Sequence, residues 1–273
     1  MKLYTHPLSP AAQKVRLTLA EKHLDCSRHH VDLPNKENLE PWYLRLNPRG
    51  TLPTLVDGDT VVNESSVICE FLEDQYPKTS LRPADNAQRA AMRSWMNVVD
   101  DRLHYACGAL IWPALMRPAL LDKTAAEREA ILSRIPDRAR QARHRRWVEH
   151  GVDNPDFRRA VLVYQDTAEM MNSSLAEREW LAGDQFSLAD CALLPYFHAM
   201  AQMGWDGIYS TCGNVSDWFE RGRARPSFRN EISEQVSSDM LAAMNAAGTK
   251  FRDRVLEVIA TDHRKLALKG NAA

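Results

Sequence analysis

Apolar positions in the first eighty residues fall in short runs of differing period, and after residue 90 they recur at helical spacing. The chain therefore reads as a mixed α/β unit followed by an all-helical one. Lys2 to Thr5 is a short strand ended by His6-Pro7. Ser9-Pro10 opens a helix, serine being a favoured N-cap and proline tolerated at the first helical position. Ala12, Val15 and Leu19 share one face of that helix, which closes near Lys22. His29 to Leu33 reads as a second strand and Leu39 to Leu46 as a short helix ended before Asn47-Pro48. Leu52–Val56 and Thr60–Val62 flank Asp57-Gly58, a hairpin signal. Ser65 is placed to cap a helix whose stripe is Val67, Ile68, Phe71, Leu72 and Tyr76. The order is βαβαββα, and Pro77 and Leu81-Arg82-Pro83 mark a linker near residues 77–86.

Beyond the linker, Met92, Trp95, Met96, Val99 and Leu103 form one helical stripe, and Phe157, Val161, Tyr164, Ala168 and Met171 another. Asn154-Pro155 is a cap and first turn. Ser187-Leu188-Ala189-Asp190 has the form of a capping box with Asp in place of Glu or Gln. Trp218 and Phe219 sit on a further helix ended by Arg225-Pro226. Residues 117–153 are less regular and carry arginines at 138, 140, 143, 145 and 146. A solvated basic face is the default reading of that cluster, with contact to an acidic substrate as the alternative.

A length of 273 residues suits two modest domains, and 44% hydrophobic with 26% charged residues is ordinary globular composition. The formal charge of −1 gives no whole-protein attraction to nucleic acid or anionic membrane. Five widely spaced cysteines without a C-x-x-C pair fit free thiols in a reducing compartment. The histidines show no metal-site spacing, so no metal is expected. MKLYTHPLSP lacks an apolar signal core and no apolar run reaches membrane-spanning length, so a cytoplasmic protein is expected.

Three segments carry candidate chemistry. A hydroxyl at a helix N-terminus, Ser9, is suited to steady a bound thiolate, although Ser-Pro alone reads equally as a helix start. Leu52-Pro53, leading into a strand, suits either a cis bond that presents Leu52's backbone to an extended peptide, or a plain trans proline at a strand start. Glu64 is suited to an ammonium and Ser65, at a helix N-terminus, to a carboxylate; the bland alternative is an N-cap beside a solvated acid.

In combination, Ser9-Pro10, Asn47-Pro48-Arg49-Gly50-Thr51-Leu52-Pro53, Asp57-Gly58 and Glu64-Ser65-Ser66-Val67-Ile68 resemble the glutathione S-transferase family. Phe186-Ser187-Leu188-Ala189-Asp190 and Arg225-Pro226-Ser227-Phe228 extend the likeness over roughly residues 1–230. The resemblance implies an α/β thioredoxin-like N-terminal domain, residues 1–80, that binds glutathione, and an all-α C-terminal domain, residues 87–250, that forms the hydrophobic substrate site. It implies a homodimer, a catalytic Ser9, glutathione as co-substrate along Leu52 and a cis Pro53, and a γ-glutamyl head at Glu64 and Ser65. Asn38, with Lys36, lies where such proteins contact the glycine carboxylate. Tyr105, Ile111, Trp112 and Met116 stand as candidates for an apolar substrate wall, with core packing as the plain alternative. In several classes an Asp at the position of Asp100 or Asp101 reaches the partner's glutathione.

Asn63 through Asp74, Leu81 through Asp85, and the stretch from Ile135 to Trp147 are similar to the bacterial β-etherase branch, which cleaves β-aryl ethers with glutathione. Several of those enzymes carry their first-loop serine three positions on, where this chain has Ala12, and Ser9 matches the plant phi-type placement instead. The first loop has no cysteine, against an omega-like or glutaredoxin-like mechanism. The function expected is transfer of glutathione to an apolar, aromatic electrophile, in detoxification or aromatic degradation. The alternatives are ether cleavage or dehalogenation by the same thiolate, and a non-catalytic binding or dimerisation module.

Overall fold

The computed structural model describes residues 1–270, with side chains through residue 261. Strands β1 (Lys2–Thr5), β2 (Ser27–His30), β3 (Thr54–Asp57) and β4 (Thr60–Asn63) form one sheet in the order β2-β1-β3-β4. β1 and β2 are parallel, and the β1–β3 and β3–β4 pairs are antiparallel. The register sets Leu3 opposite Leu55 and Leu55 opposite Val62, so three apolar side chains line one face. Helices α1 (Pro10–Glu21) and α3 (Ser65–Gln75) bury Val15, Leu19, Ile68 and Leu72 in the same core. On the other face Val31, Tyr43 and Leu52 form a small core with α2 (Pro41–Leu46). The arrangement is thioredoxin-like.

Local departures from expectation have local causes. The second strand is displaced toward the N-terminus of the expected His29–Leu33, because Asp32 turns the chain by accepting the Asn35 N–H at 3.1 Å. The helix expected from Leu39 begins instead at Pro41 after a single 3-10 turn, since proline takes the first helical position. Ser65 is the first residue of α3 and does not cap it. The capping position belongs to Glu64, whose φ of 68° is unusual for a residue with a β-carbon.

The helical half begins with α4 (Asn86–Val98), whose N-terminus is capped by Asp85 Oδ1 accepting the Gln88 N–H at 2.9 Å. It runs through a widened π-turn (Val99–Leu103) into α5 (His104–Ile111), a second π-turn (Trp112–Met116) and α6 (Arg117–Leu121). Residues 117–153 are more ordered than their pattern suggested. α7 (Ala125–Ser133) has a full Thr124–Glu127 capping box, and α8 (Arg138–His150) starts at Asp137. Leu120, Leu132, Ile135 and Val148 of this stretch pack with Leu39, so the insert leans on the sheet-bearing half.

The remaining core is built from α9 (Pro155–Ser174), α10 (Leu188–Gln202) and α11 (Gly213–Arg223). α10 is buried almost throughout and packs against α1. α12 (Pro226–Glu231) is tied to α1 by Arg225, which forks onto Glu21 at 2.7 and 2.6 Å and lies over the Phe186 ring at 4.1 Å. α13 (Ser238–Thr249) and α14 (Arg252–Gly270) follow. Among the described residues no helix is long and apolar enough to cross a membrane.

His198, on α10, gives the fold a pH dependence. Both its ring nitrogens are buried without partners, and its ring meets Phe228 at 5.0 Å. Burial, then Arg223, pushes its pKa down from 6.5 to about 4. Between those values the unfolded chain binds a proton that the folded chain refuses. The stability linked to this group is thus complete above the unfolded pKa and is lost as pH falls toward the folded one, at ~1.4 kcal/mol per pH unit. His198→Leu is expected to flatten the acid side of a Tm-versus-pH curve by about one proton's worth of slope. An unchanged slope in thermal melts between pH 7 and 5 would assign the acid sensitivity elsewhere.

Candidate active site

The loop entering β3 is held in one shape. Gly50 adopts φ 58°, and a β-carbon there would stand 2.9 Å from both the Asn38 carbonyl oxygen and Leu39 Cδ2. The Thr51 carbonyl accepts from Tyr43 Oη at 2.6 Å and Asn47 Nδ2 at 2.9 Å. Asn38 Nδ2 donates to the Gly50 carbonyl at 2.8 Å, leaving its Oδ1 buried without a partner. Next comes Leu52, joined to Pro53 by a cis peptide bond. The Leu52 N–H and C=O have no hydrogen-bond partner among the described residues. This is an edge of free backbone on a rigid support.

Two cavities meet at Leu52. The polar one, about 410 Å³, is bounded by Leu52, Pro53, Arg49, Glu64, Ser65 and Asp100. The start of α3 faces it, and the N–H groups of the first turn of a helix have no intrahelical acceptors. Lys14, fully buried, lies behind this wall, with Nζ 2.7 Å from Ser66 Oγ and 3.2 Å from Asp100 Oδ1. Glu64 Oε1 accepts from Arg49 Nη1 at 2.6 Å, and both side chains are at least half exposed, so the pair contributes little stability and opens readily.

The apolar cavity, about 250 Å³, has Ser9, Asn38, Gly50 and Leu52 on one side. Trp112, Met116, Leu120, Leu132, Ile135 and His144 face them from the helical half and its insert. Ser9 caps α1, its Oγ accepting the Ala12 N–H at 3.4 Å, and its own O–H has no acceptor among the described residues. The hydroxyl proton is free to donate into the cavity.

Thr51, Leu52 and His104 line both cavities. His104 Nδ1 lies 2.9 Å from Tyr196 Oη. Burial keeps the Tyr196 phenol protonated, and its O–H has no other acceptor among the described residues. It therefore donates to Nδ1, and the neutral imidazole carries its proton on Nε2, the edge open to the cleft. Crowding by protein, then the charge of Lys14, lowers the His104 pKa; cleft water still reaches the ring and screens the effect. His144 clusters with Trp112 and Trp147, at centroid distances of 4.7 and 5.0 Å, the two tryptophans lying 6.0 Å apart. Its burial, with Arg140, Lys36 and Arg143 nearby, lowers its pKa to about 3, so it serves as a neutral aromatic wall.

Ser9, Leu52 and Asn38, and through Leu52 also Pro53, Glu64 and Ser65, are thus brought to one cleft. Of the four residues read as a substrate wall, Trp112 and Met116 line the apolar cavity. Tyr105 and Ile111 do not. Tyr105, one step round the helix from His104, faces Trp147 and lies under Arg143 at 5.0 Å. Ile111 packs against the main core, and the π-turn that follows it carries Trp112 and Met116, four apart, onto the cavity face. Asp100 borders the polar cavity of its own chain, and Asp101 is exposed beside Arg102. His104, His144 and Thr51 were not read as site residues from sequence, and Arg140 entered only as one of a cluster whose default reading was a solvated basic face. For Arg140 and His144 a signal existed, an i, i+4 pair one turn inside a helix capped by Asp137. Among the described residues no group of three or more His, Cys, Asp or Glu side chains is arranged to hold a metal ion.

Comparison with known proteins agrees with this geometry. Residues 8–75 match the glutathione S-transferase N-terminal domain and residues 165–226 the C-terminal domain of the same family. Glutathione S-transferase 3 of Zea mays is 32% identical over 237 residues, 85% of this chain and 93% of the maize protein. Protein LigF of Sphingobium sp. is 29% identical over 259 residues, 90% of this chain and 98% of that protein. The crystal structure titled beta-etherase LigF superposes with a TM-score of 0.78 at 27% identity, over 85% of this chain and 98% of that one. Glutathione S-transferase III in its apo form gives a TM-score of 0.64 at 29% identity, over 85% of this chain and 95% of its own. With the paired domains, the fold and near end-to-end similarity in agreement, this chain belongs to the glutathione S-transferase family.

Proposed function

We propose that the protein is a transferase that holds glutathione across the Leu52 backbone, steadies its sulfur as thiolate with Ser9, and directs it at an aromatic or otherwise apolar electrophile in the adjoining cavity. The observation that carries this reading is the junction itself. A polar cavity with Glu64 and Ser65 and an apolar cavity with Ser9 meet at the free backbone of Leu52. The residues present fit the tripeptide. Leu52's unpaired N–H and C=O suit the cysteinyl backbone, as an added strand would be held. The first turn of α3 suits the γ-glutamyl carboxylate, and Glu64 with Asp100 suits its ammonium. Asn38, whose Oδ1 lacks a partner, and Lys36 stand at the other end of the groove.

Glutathione supplies a thiol whose ordinary pKa is about 8.5 and which is nucleophilic only as thiolate. Ser9 donates its free O–H toward the sulfur position, and the N-terminus of α1 adds a positive field there. The thiol proton leaves to cleft water. As the carbon–sulfur bond forms, the leaving group departs with the electron pair of the bond that breaks. His104 Nε2–H, on the wall common to both cavities, faces the region where that negative charge develops. Residues 1–80 then serve the tripeptide and residues 87–250 the electrophile, with the insert closing the apolar side. The assembly proposed is a homodimer covering the exposed Val67 on the outer face of α3.

Similarity to LigF over 98% of that protein's length favours a second reading of the same step, in which the group displaced is an aryloxide from a β-aryl ether. Incubation with glutathione and either a model β-aryl ether or a chloro-nitrobenzene, followed by product analysis, separates the two: phenol release with the first favours etherase action, chloride release with the second favours conjugation. Inertness toward both, with glutathione still bound, would favour a carrier. The binding half is tested by Ser65→Ala, expected to weaken glutathione about tenfold in calorimetry through loss of a charge-assisted hydrogen bond. Equal affinity in the variant would move the γ-glutamyl head away from α3.

A further inference from the structure

The insert contributes more than apolar wall. Three of its eight arginines are neutralised by carboxylates: Arg145 pairs with Glu129, Arg146 with Asp156 at 2.9 Å, and Arg134 with Glu40 at 2.7 Å. Of the five that form no ion pair among the described residues, the one that borders the apolar cavity is Arg140. Its Nη2 donates to the backbone carbonyl of Arg49 at 2.7 Å, its Nε is buried with no partner, and no carboxylate forms an ion pair with it among the described residues. The acid nearest in sequence, Asp137, is exposed and occupied at the start of α8, accepting the backbone N–H of Arg140 at 2.6 Å. Arg140 instead borders the apolar cavity, with Lys36 on the same rim. None of the residues bounding that cavity is an Asp or Glu.

A half-buried guanidinium with no ion-pair partner is costly, because the solvation it loses is replaced only in part by the through-space attraction of Asp137. Burial lowers the pKa of Arg140 and of Lys36, and the field of both reaches His144. An arginine keeps its charge through such a shift and presents a planar fork suited to a carboxylate. The rest of the cavity is largely aromatic and aliphatic, with the His144–Trp112 ring pair beside Leu120 and Ile135. Its volume of about 250 Å³ suits a body of one or two rings.

We propose that the apolar cavity selects aromatic substrates that carry a carboxylate, and that Arg140 is the residue that reads it. The inference rests on the reading that this cavity holds the second substrate. It differs from the expectation that the arginine cluster is merely a solvated basic face. Arg140 shares its rim with Asn38 and Lys36, so the test has to separate a carboxylate of the second substrate from the glycine carboxylate of the tripeptide.

The test is calorimetric and needs no turnover. The wild-type protein is titrated with 2-naphthoate, with its neutral amide, and separately with glutathione; Arg140→Met and Arg140→Lys are treated alike. The wild type is expected to prefer the acid by about tenfold, Arg140→Met to lose that preference, Arg140→Lys to keep part of it, and all three to bind glutathione equally. Absence of acid preference in the wild type overturns the proposal, as does its persistence in Arg140→Met. A loss of glutathione affinity in place of naphthoate affinity overturns it too, assigning Arg140 to the glycine carboxylate. If Arg140→Met does not fold, the wild type and Arg140→Lys decide it: tenfold selectivity that drops in Arg140→Lys supports the proposal, and identical selectivity removes it. Failure to bind glutathione with the naphthoate preference intact would sink the transferase reading alone.

Discussion

Ser9→Ala is expected to lower kcat/KM by about 10²-fold while leaving the affinity for glutathione within a factor of about two. The expected size is that of one preorganised donor removed from a developing or resident anion. The pattern follows from geometry. Ser9 borders the apolar cavity where the sulfur would sit, and the groups suited to the tripeptide's ends lie elsewhere, at Glu64, Ser65 and Asn38. The Ser9 side chain also caps α1, so thermal melts should show a cost of about 1 kcal/mol from the lost cap. Ser9→Thr, which keeps hydroxyl and cap, is expected to recover most of the rate. A fall in stability with full activity in Ser9→Ala would leave the serine as a helix start and nothing more.

The second large effect concerns the fold. Asp190, fully buried at the start of α10, accepts from Trp218 Nε1 at 2.8 Å, Ser187 N–H at 2.9 Å, Ser187 Oγ at 3.0 Å and Leu181 N–H at 3.1 Å. Three segments of the helical half converge on one carboxylate. Asp190→Ala strands three buried N–H donors, the Ser187 hydroxyl being free to rotate away, and each stranded donor costs about 1–3 kcal/mol, so a total loss of about 4 kcal/mol and a Tm lower by about 10 °C are expected. Asp190→Asn should be nearly as damaging, because its amide NH2 turns a donor toward donors. Asp190 lines neither cavity of the cleft, so residual activity of the folded fraction should be normal in pulse-denaturation assays. A Tm within about 2 °C of wild type would show that water replaces the carboxylate.

The polar side of the cleft, proposed to take glutathione, was legible because its groups come from short contiguous stretches with turn chemistry of their own. Ser9-Pro10, Gly50 to Pro53 and Glu64-Ser65 each announce a cap, a constrained turn or an edge. The hydrophobic side was legible only in part. Periodicity identified the α4 stripe, but the two π-turns shift the phase, so Tyr105 and Ile111 leave the cavity face that Trp112 and Met116 keep. The insert was misread for a related reason. α8 is polar along most of its length, and burying only Trp147 and Val148 gives it no apolar stripe. Its ordering comes from the Asp137 cap and from arginine pairs with Glu129 and Asp156, which a hydrophobic pattern does not register. Arg140 and His144 therefore looked like solvent-facing positions until α8 was set against Leu39 and the Gly50 loop.

Everything chemical in this account depends on a bound sulfur being ionised at neutral pH. The most direct measurement is an ultraviolet titration of the thiolate in the wild-type complex with glutathione. A thiolate held by Ser9 should titrate with a bound-thiol pKa at least one unit below the free value of about 8.5. A saturated complex whose thiol titrates at the free value would contradict it.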